Sequence, residues 1–192
     1  MNNTKIKTKG KTLSQRAPRK VTKDGLRKIA LHHLERYASS VQNLERVLRR
    51  RALNAARHHD TDMIKAQAWI GEIIDALVRS GIVDDKRYAD GKAISMVRRG
   101  QSSFKVRAYL ASKGVENGAI TNALSYAETT LGKPDQIAAK AYAKRRHFGP
   151  FRLGEGSVNV RQKEMAAFSR AGFGYEIANQ IVNANDESEL DE

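Results

Sequence analysis

The chain contains no cysteine, which excludes disulfide bridges and thiolate metal sites. Only three of its 192 residues are proline, and only 6% are aromatic. Apolar residues make up 40%, so a core is available, but it has to be built from Ala, Leu, Ile and Val. Runs rich in β-branched residues are few, and alanine is frequent. Both features favour helix over strand. No apolar run approaches the ~20 residues that a membrane-spanning helix needs. The N-terminus is polar and basic and has no apolar stretch of the kind a secretory signal carries. A soluble, cytoplasmic, all-α protein is expected, with no membrane contact.

The motifs of the common catalytic sites are also missing. The sequence has no G-x-x-x-x-G-K-[ST] phosphate loop, no G-x-S-x-G elbow and no H-E-x-x-H helix. The histidines are His32-His33, His58-His59 and His147. Neighbouring helical residues point about 100° apart, so neither pair presents two rings to one ligand. "HHDTD", residues 58–62, has metal-binding residue types, but it reads better as a polar helix end followed by a cap. No enzyme activity, metal or cofactor is expected.

Negative charge is in deficit. The net charge is +14 and the pI about 10.1, a balance that suits a polyanionic partner. Residues 1–23 hold eight Lys/Arg and no acid, whereas residues 186–192, "DESELDE", hold five acids and no base. The stretch between them still carries +11. Residues 1–22 read as a disordered basic tail and 186–192 as an acidic tail.

Helical periodicity fills the middle of the chain. Leu26, Ile29, Ala30 and Leu34 open a first helix. Ser39-Ser40 then offers a cap to a second helix carrying Leu44, Val47, Leu48 and Leu53. Trp69, Ile70, Ile73, Ile74, Leu77 and Val78 fall within about half a helical circumference. Ser80-Gly81 ends that helix. Asp84 or Asp85 starts the next, which carries Tyr88, Ala89, Ala93, Met96 and Val97. Gly100 and Ser102 or Ser103 turn the chain into a helix with Val106 and Leu110, which Lys113-Gly114 stops. Pro134 begins a third round. Its loop "GPFRLGEGSVNV", 149–160, is longer than the matching corners.

The rounds superimpose. Ser40-x-x-x-Leu44-x-x-x-Leu48 matches Ser102-x-x-x-Val106-x-x-x-Leu110, and Met165, Phe168 and Gly172 occupy the same part of the third round. The expected architecture is three tandem three-helix repeats, 23–81, 82–131 and 132–185. Units that contact mainly their neighbours stack into an elongated, curved molecule. Basic clusters recur with the units: Arg49, Arg50 and Arg51; Arg98, Arg99, Lys105 and Arg107; Lys144, Arg145 and Arg146. Each residue alone reads as a solvated helix face. Together they form a candidate stripe for phosphate or carboxylate. Sequence-specific base reading is poorly supported. Phe104, Tyr109, Phe148 and Phe151 are the aromatics available for stacking on unpaired bases, and Phe104 and Tyr109 read better as core.

Residues 69–115 carry a family resemblance. Leu77 and Gly81, then Ile82-Val83-Asp84-Asp85-Lys86-Arg87-Tyr88-Ala89, then Arg99-Gly100, then Leu110 and Lys113-Gly114-Val115 resemble the pattern of the RecX family, bacterial modulators of the RecA recombinase. The resemblance implies tandem three-helix units without catalytic activity, and binding to RecA and to the RecA nucleoprotein filament. It also implies restraint of the RecA ATPase, strand exchange and coprotease activity, and hence modulation of recombination, DNA repair and the SOS response. A monomer that also touches single- or double-stranded DNA nonspecifically is expected. The other reading is a nonspecific nucleic-acid-binding helical protein whose affinity comes from counterion release.

Overall fold

The structure, a computed structural model, describes residues 19–154 and 157–190. The expected N-terminal tail lies outside the described residues as far as residue 18. Among the described residues there are nine α-helices and no strand. They are α1 (Lys23–Arg36), α2 (Val41–Ala56), α3 (Met63–Arg79), α4 (Asp85–Arg98), α5 (Ser103–Ser112), α6 (Asn117–Leu131), α7 (Pro134–Arg146), α8 (Val158–Arg170) and α9 (Tyr175–Asn183). Two short 3-10 turns lie at Gly149–Phe151 and Ser188–Leu190. None of these helices is long and apolar enough to cross a membrane.

The boundaries follow from capping chemistry. The side chains of Thr22, Ser40, Asp62, Asp84, Ser102 and Ser157 each accept a backbone N–H of the following first turn. Thr22 thus caps α1 rather than belonging to the expected tail, and Val21 packs on the core beneath it. Pro134 occupies the first turn of α7, where no N–H is needed. α8 begins three residues earlier than the periodicity suggests, because Ser157 caps it. This leaves Val158 and Val160 exposed on its first turn.

The apolar side chains form two cores. Leu26, Leu44, Leu48, Ile70, Ile73, Ile74, Leu77 and Val83 belong to the one among α1–α3. α4–α9 share the other, in which Val97, Val106, Leu110, Ile120, Phe168 and Val182 are fully buried. Of the six residues matched between the first two rounds, all are inaccessible to solvent. Val78, grouped by periodicity with Ile70, Ile73, Ile74 and Leu77 of α3, is exposed at the rim.

Two polar joints link the helical groups, and they use the same chemistry. The Ser40 hydroxyl donates to the Lys113 carbonyl at 2.5 Å, and the Ser102 hydroxyl to the Ala171 carbonyl at 2.7 Å. Beside them, Val41 N–H donates to Asp85 and Ser103 N–H to Asp135, both at 2.7 Å. In each joint a helix N-cap serine closes the C-terminal end of the second helix one group further on. The neighbouring N–H meets an aspartate at the start of that group's first helix. This recurrence is consistent with the expected stacking of three-helix units.

The two joints differ in what surrounds them. At the second, α4 also packs directly on α7. Gly100, at φ +78°, makes that approach possible, since a Cβ there would lie 2.8 Å from the Tyr142 backbone nitrogen. Phe104 is 69% exposed rather than in the core. It lies over Gly172, where a Cβ would meet its ring at 2.8 Å.

Candidate polyanion-binding face

The second and third basic clusters meet where α4 ends against α7. Arg98 is in the last turn of α4 and Arg99 follows it. Lys105 and Arg107 lie in the first half of α5, and Lys144, Arg145 and Arg146 form the last turn of α7. All are exposed except Lys105, which is half-buried. The Arg145 guanidinium donates to the Arg99 carbonyl, so it closes the end of α4 and brings the two clusters together. Arg145 also stacks over Tyr142 and Arg146 over Phe148, with the guanidinium carbons 5.8 and 5.5 Å from the ring centres. Lys144 lies 5.7 Å above Phe151. These rings hold the long cations in place, so less side-chain freedom is lost when an anion arrives.

Few carboxylates neutralise these cations. Of the ten candidate residues, only Lys144 has a carboxylate within 4 Å among the described residues, namely Glu187 at 3.7 Å. The same Glu187 lies 3.3 Å from Lys140. The acidic segment therefore turns back onto α7, and Leu190 packs against the larger core. Arg107 reaches Thr121, at 3.4 Å.

Arg49, Arg50 and Arg51 are exposed on the middle of α2. Among the described residues no hydrogen bond or ion pair joins them to the other clusters. Arg50 and Arg51 instead face α1 across a groove lined by Lys28, His32, His33, Arg36 and Tyr37. Burial, and then the nearby Arg50 charge, holds the His33 imidazole below its usual pKa, so it is neutral at pH 7. Among the described residues no acid lines the groove, and the nearest carboxylates on α1 pair at its edge: Asp24 with Lys28 at 2.8 Å and Glu35 with His32 at 3.6 Å. Periodicity alone had not singled out these α1 residues. The signal was there in Lys28, His32 and Arg36, which repeat every four residues and so share one helix face.

A buried ion pair, which the sequence patterning does not mark, closes the long loop after α7. Arg152 makes a bidentate pair with the buried Glu164, at 2.7 and 2.5 Å, and also donates to the Val182 carbonyl at 2.7 Å. Glu164 accepts from Gly149 N–H as well, at 3.2 Å. Counted back from the Gly114 and Gly172 stops, Glu164 takes the place that Val106 holds in α5. Apolar periodicity skips over a charged residue at such a position. Among the described residues, no three His, Asp or Glu side chains converge as a metal set.

The chain is similar to proteins of one family. A Regulatory protein RecX of Myxococcus xanthus (strain DK1622) is 34% identical over 178 residues, 92% of this chain and 94% of that protein. A Regulatory protein RecX of Agrobacterium fabrum (strain C58) is 32% identical over 147 residues, 70% of this chain and 77% of the relative. The fold resembles the crystal structure of RecX from Lactobacillus salivarius, with a TM-score of 0.61, 20% identity and coverage of 88% of this chain and 96% of that one. A second RecX crystal structure superimposes with a TM-score of 0.58 at 17% identity. No family model matches the chain.

Proposed function

The chain belongs to the RecX family of regulatory proteins, and from that premise we propose that it binds the RecA recombinase and its filament on DNA. Bound there, it restrains the RecA ATPase, strand exchange and coprotease activity, and so modulates recombination, DNA repair and the SOS response. It acts in the cytoplasm as a monomer, by binding rather than by catalysis. Three stacked three-helix units, 23–81, 82–131 and 132–185, give it the length to lie along a filament.

The observation that carries this reading is the joined face at the α4–α7 crossing. There the cations of Arg98, Arg99, Lys105, Arg107, Arg145 and Arg146 have no carboxylate within 4 Å among the described residues. Exposed cations without acids are suited to DNA phosphate or acidic protein surface, and nonspecific DNA contact through such a face is part of the proposal. Co-sedimentation with RecA filaments on single-stranded DNA tests it. The chain should pellet with the filament, and less of it at raised salt. If it stays in the supernatant at low salt, the proposal fails.

A further inference from the structure

The groove between α1 and α2 is separate from the α4–α7 crossing, and its composition is specific. Four cations, Lys28, Arg36, Arg50 and Arg51, line a concave cleft that also holds three rings, His32, His33 and Tyr37. Tyr37 is the residue after the last turn of α1 and is 61% exposed, although it is among the largest side chains of the first helical group. Its ring lies 5.5 Å from that of His33 at an angle of 42°, a tilted contact that leaves most of the tyrosine exposed. The His33 Nε2 is buried and has no hydrogen-bond partner. Because this imidazole is neutral at pH 7, it adds a ring to the groove rather than a fifth charge.

We propose that this groove is a binding site for single-stranded nucleic acid, with one unstacked base on Tyr37 and the flanking phosphates on Arg36, Arg50 and Arg51. The inference deepens the reading that the chain contacts DNA and rests on it. Charge complementarity selects a polyanion. The aromatic pair selects among polyanions, because the face of an exposed ring offers a stacking surface that only a free base can use, whereas a phosphate can meet no more than the Tyr37 hydroxyl. A duplex keeps its bases stacked and has no face to give to Tyr37. Its phosphates would touch only the rim cations. Arginine also suits this site better than lysine, since its planar group can pair with a phosphate while lying against a ring.

The full chain is titrated into a labelled oligo-dT strand and into a labelled mixed-sequence duplex, with anisotropy as the readout at two salt concentrations. Tyr37→Ala should weaken oligo-dT binding on the order of tenfold, as expected for the loss of one stacked base, and should leave duplex binding unchanged. Tyr37→Trp should retain binding to the strand. Replacing Arg50 and Arg51 with Ala should reduce the single-strand salt slope by about 1.4, at roughly 0.7 per phosphate contact. Tyr37 is exposed at a helix end, so the variants should melt like the parent. Oligo-dT affinity unchanged by Tyr37→Ala, or equal losses on strand and duplex, overturns the inference and leaves the wider function standing. If the parent binds neither oligonucleotide but still pellets with RecA filaments, the inference again falls and filament binding survives. If it binds neither oligonucleotides nor filaments, the wider reading falls as well.

Discussion

Arg152 and Glu164 show how a single pair can decide whether a helical group closes. Glu164 stands where α5 has an apolar core residue, and it is 3% exposed. Its carboxylate accepts from Arg152 and Gly149 N–H, while Arg152 also satisfies the last turn of α9 through the Val182 carbonyl. Glu164→Ala would leave the guanidinium buried without its anion, a change that costs about 3–5 kcal/mol. Denaturant unfolding should show that loss, and replacing both partners with Leu and Met should recover most of it. The paired aspartates at the start of α4 are explained at the same scale. Asp84 caps the helix, and the Arg87 amide that it accepts holds its carboxyl below the usual range. Asp85 turns the other way, to Val41 N–H across the first joint. Asp84 has a lowered folded-state pKa, so its contribution is present above the unfolded value near 4 and is lost as the pH falls through the folded one. Asp84→Asn, which caps without a charge, should flatten the acid limb of the melting profile between about pH 5 and pH 2.

At the scale of elements, capping and periodicity made most of the helices legible. Serine at 40 and 102, glycine at 81, 100, 114 and 172, and the apolar spacing of α2, α3 and α5 mark their positions in the sequence. Three features were not legible, each for a physical reason. Phe104 looks like a core residue, but it covers a glycine across a joint, and only the stacking of groups reveals that glycine. Glu164 is hidden because charged residues are discounted in a search for core. The acidic segment reads as a tail because of its composition, yet Glu187 meets Lys144 and Leu190 joins the core. The basic clusters were legible as residues. That the second and third form one face, while the first belongs to a groove with α1, depends on packing. If the chain ends at Asn185, the carboxylate is removed from beside Lys144. Affinity for an oligonucleotide should rise at low salt, with a small fall in melting temperature from the lost Leu190 contact. Unchanged binding would mean that Glu187 does not compete for that face.

For the molecule as a whole, the first core is separate from the second, and the joint between them is built from polar contacts at the ends of helices. A chain with separate cores joined in this way is expected to be long for its mass. Its radius of gyration in scattering should exceed the about 16 Å of a compact protein of this length. The proposed function depends most on the face at the α4–α7 crossing, since it is where DNA phosphate or acidic protein surface would be met. Replacing Arg98, Arg99, Lys105 and Arg107 with Glu changes the local charge by eight units and leaves Val106 and Leu110 buried. Surface changes of this kind usually cost under about 0.5 kcal/mol each, so the variant should fold. The direct measurement is ATP hydrolysis by RecA on single-stranded DNA while the parent, and then this variant, is added. Hydrolysis should fall as the parent reaches a several-fold excess, and the folded variant should restrain it far less. Full hydrolysis with the parent present in excess, or a folded variant that inhibits as well as the parent, would contradict it.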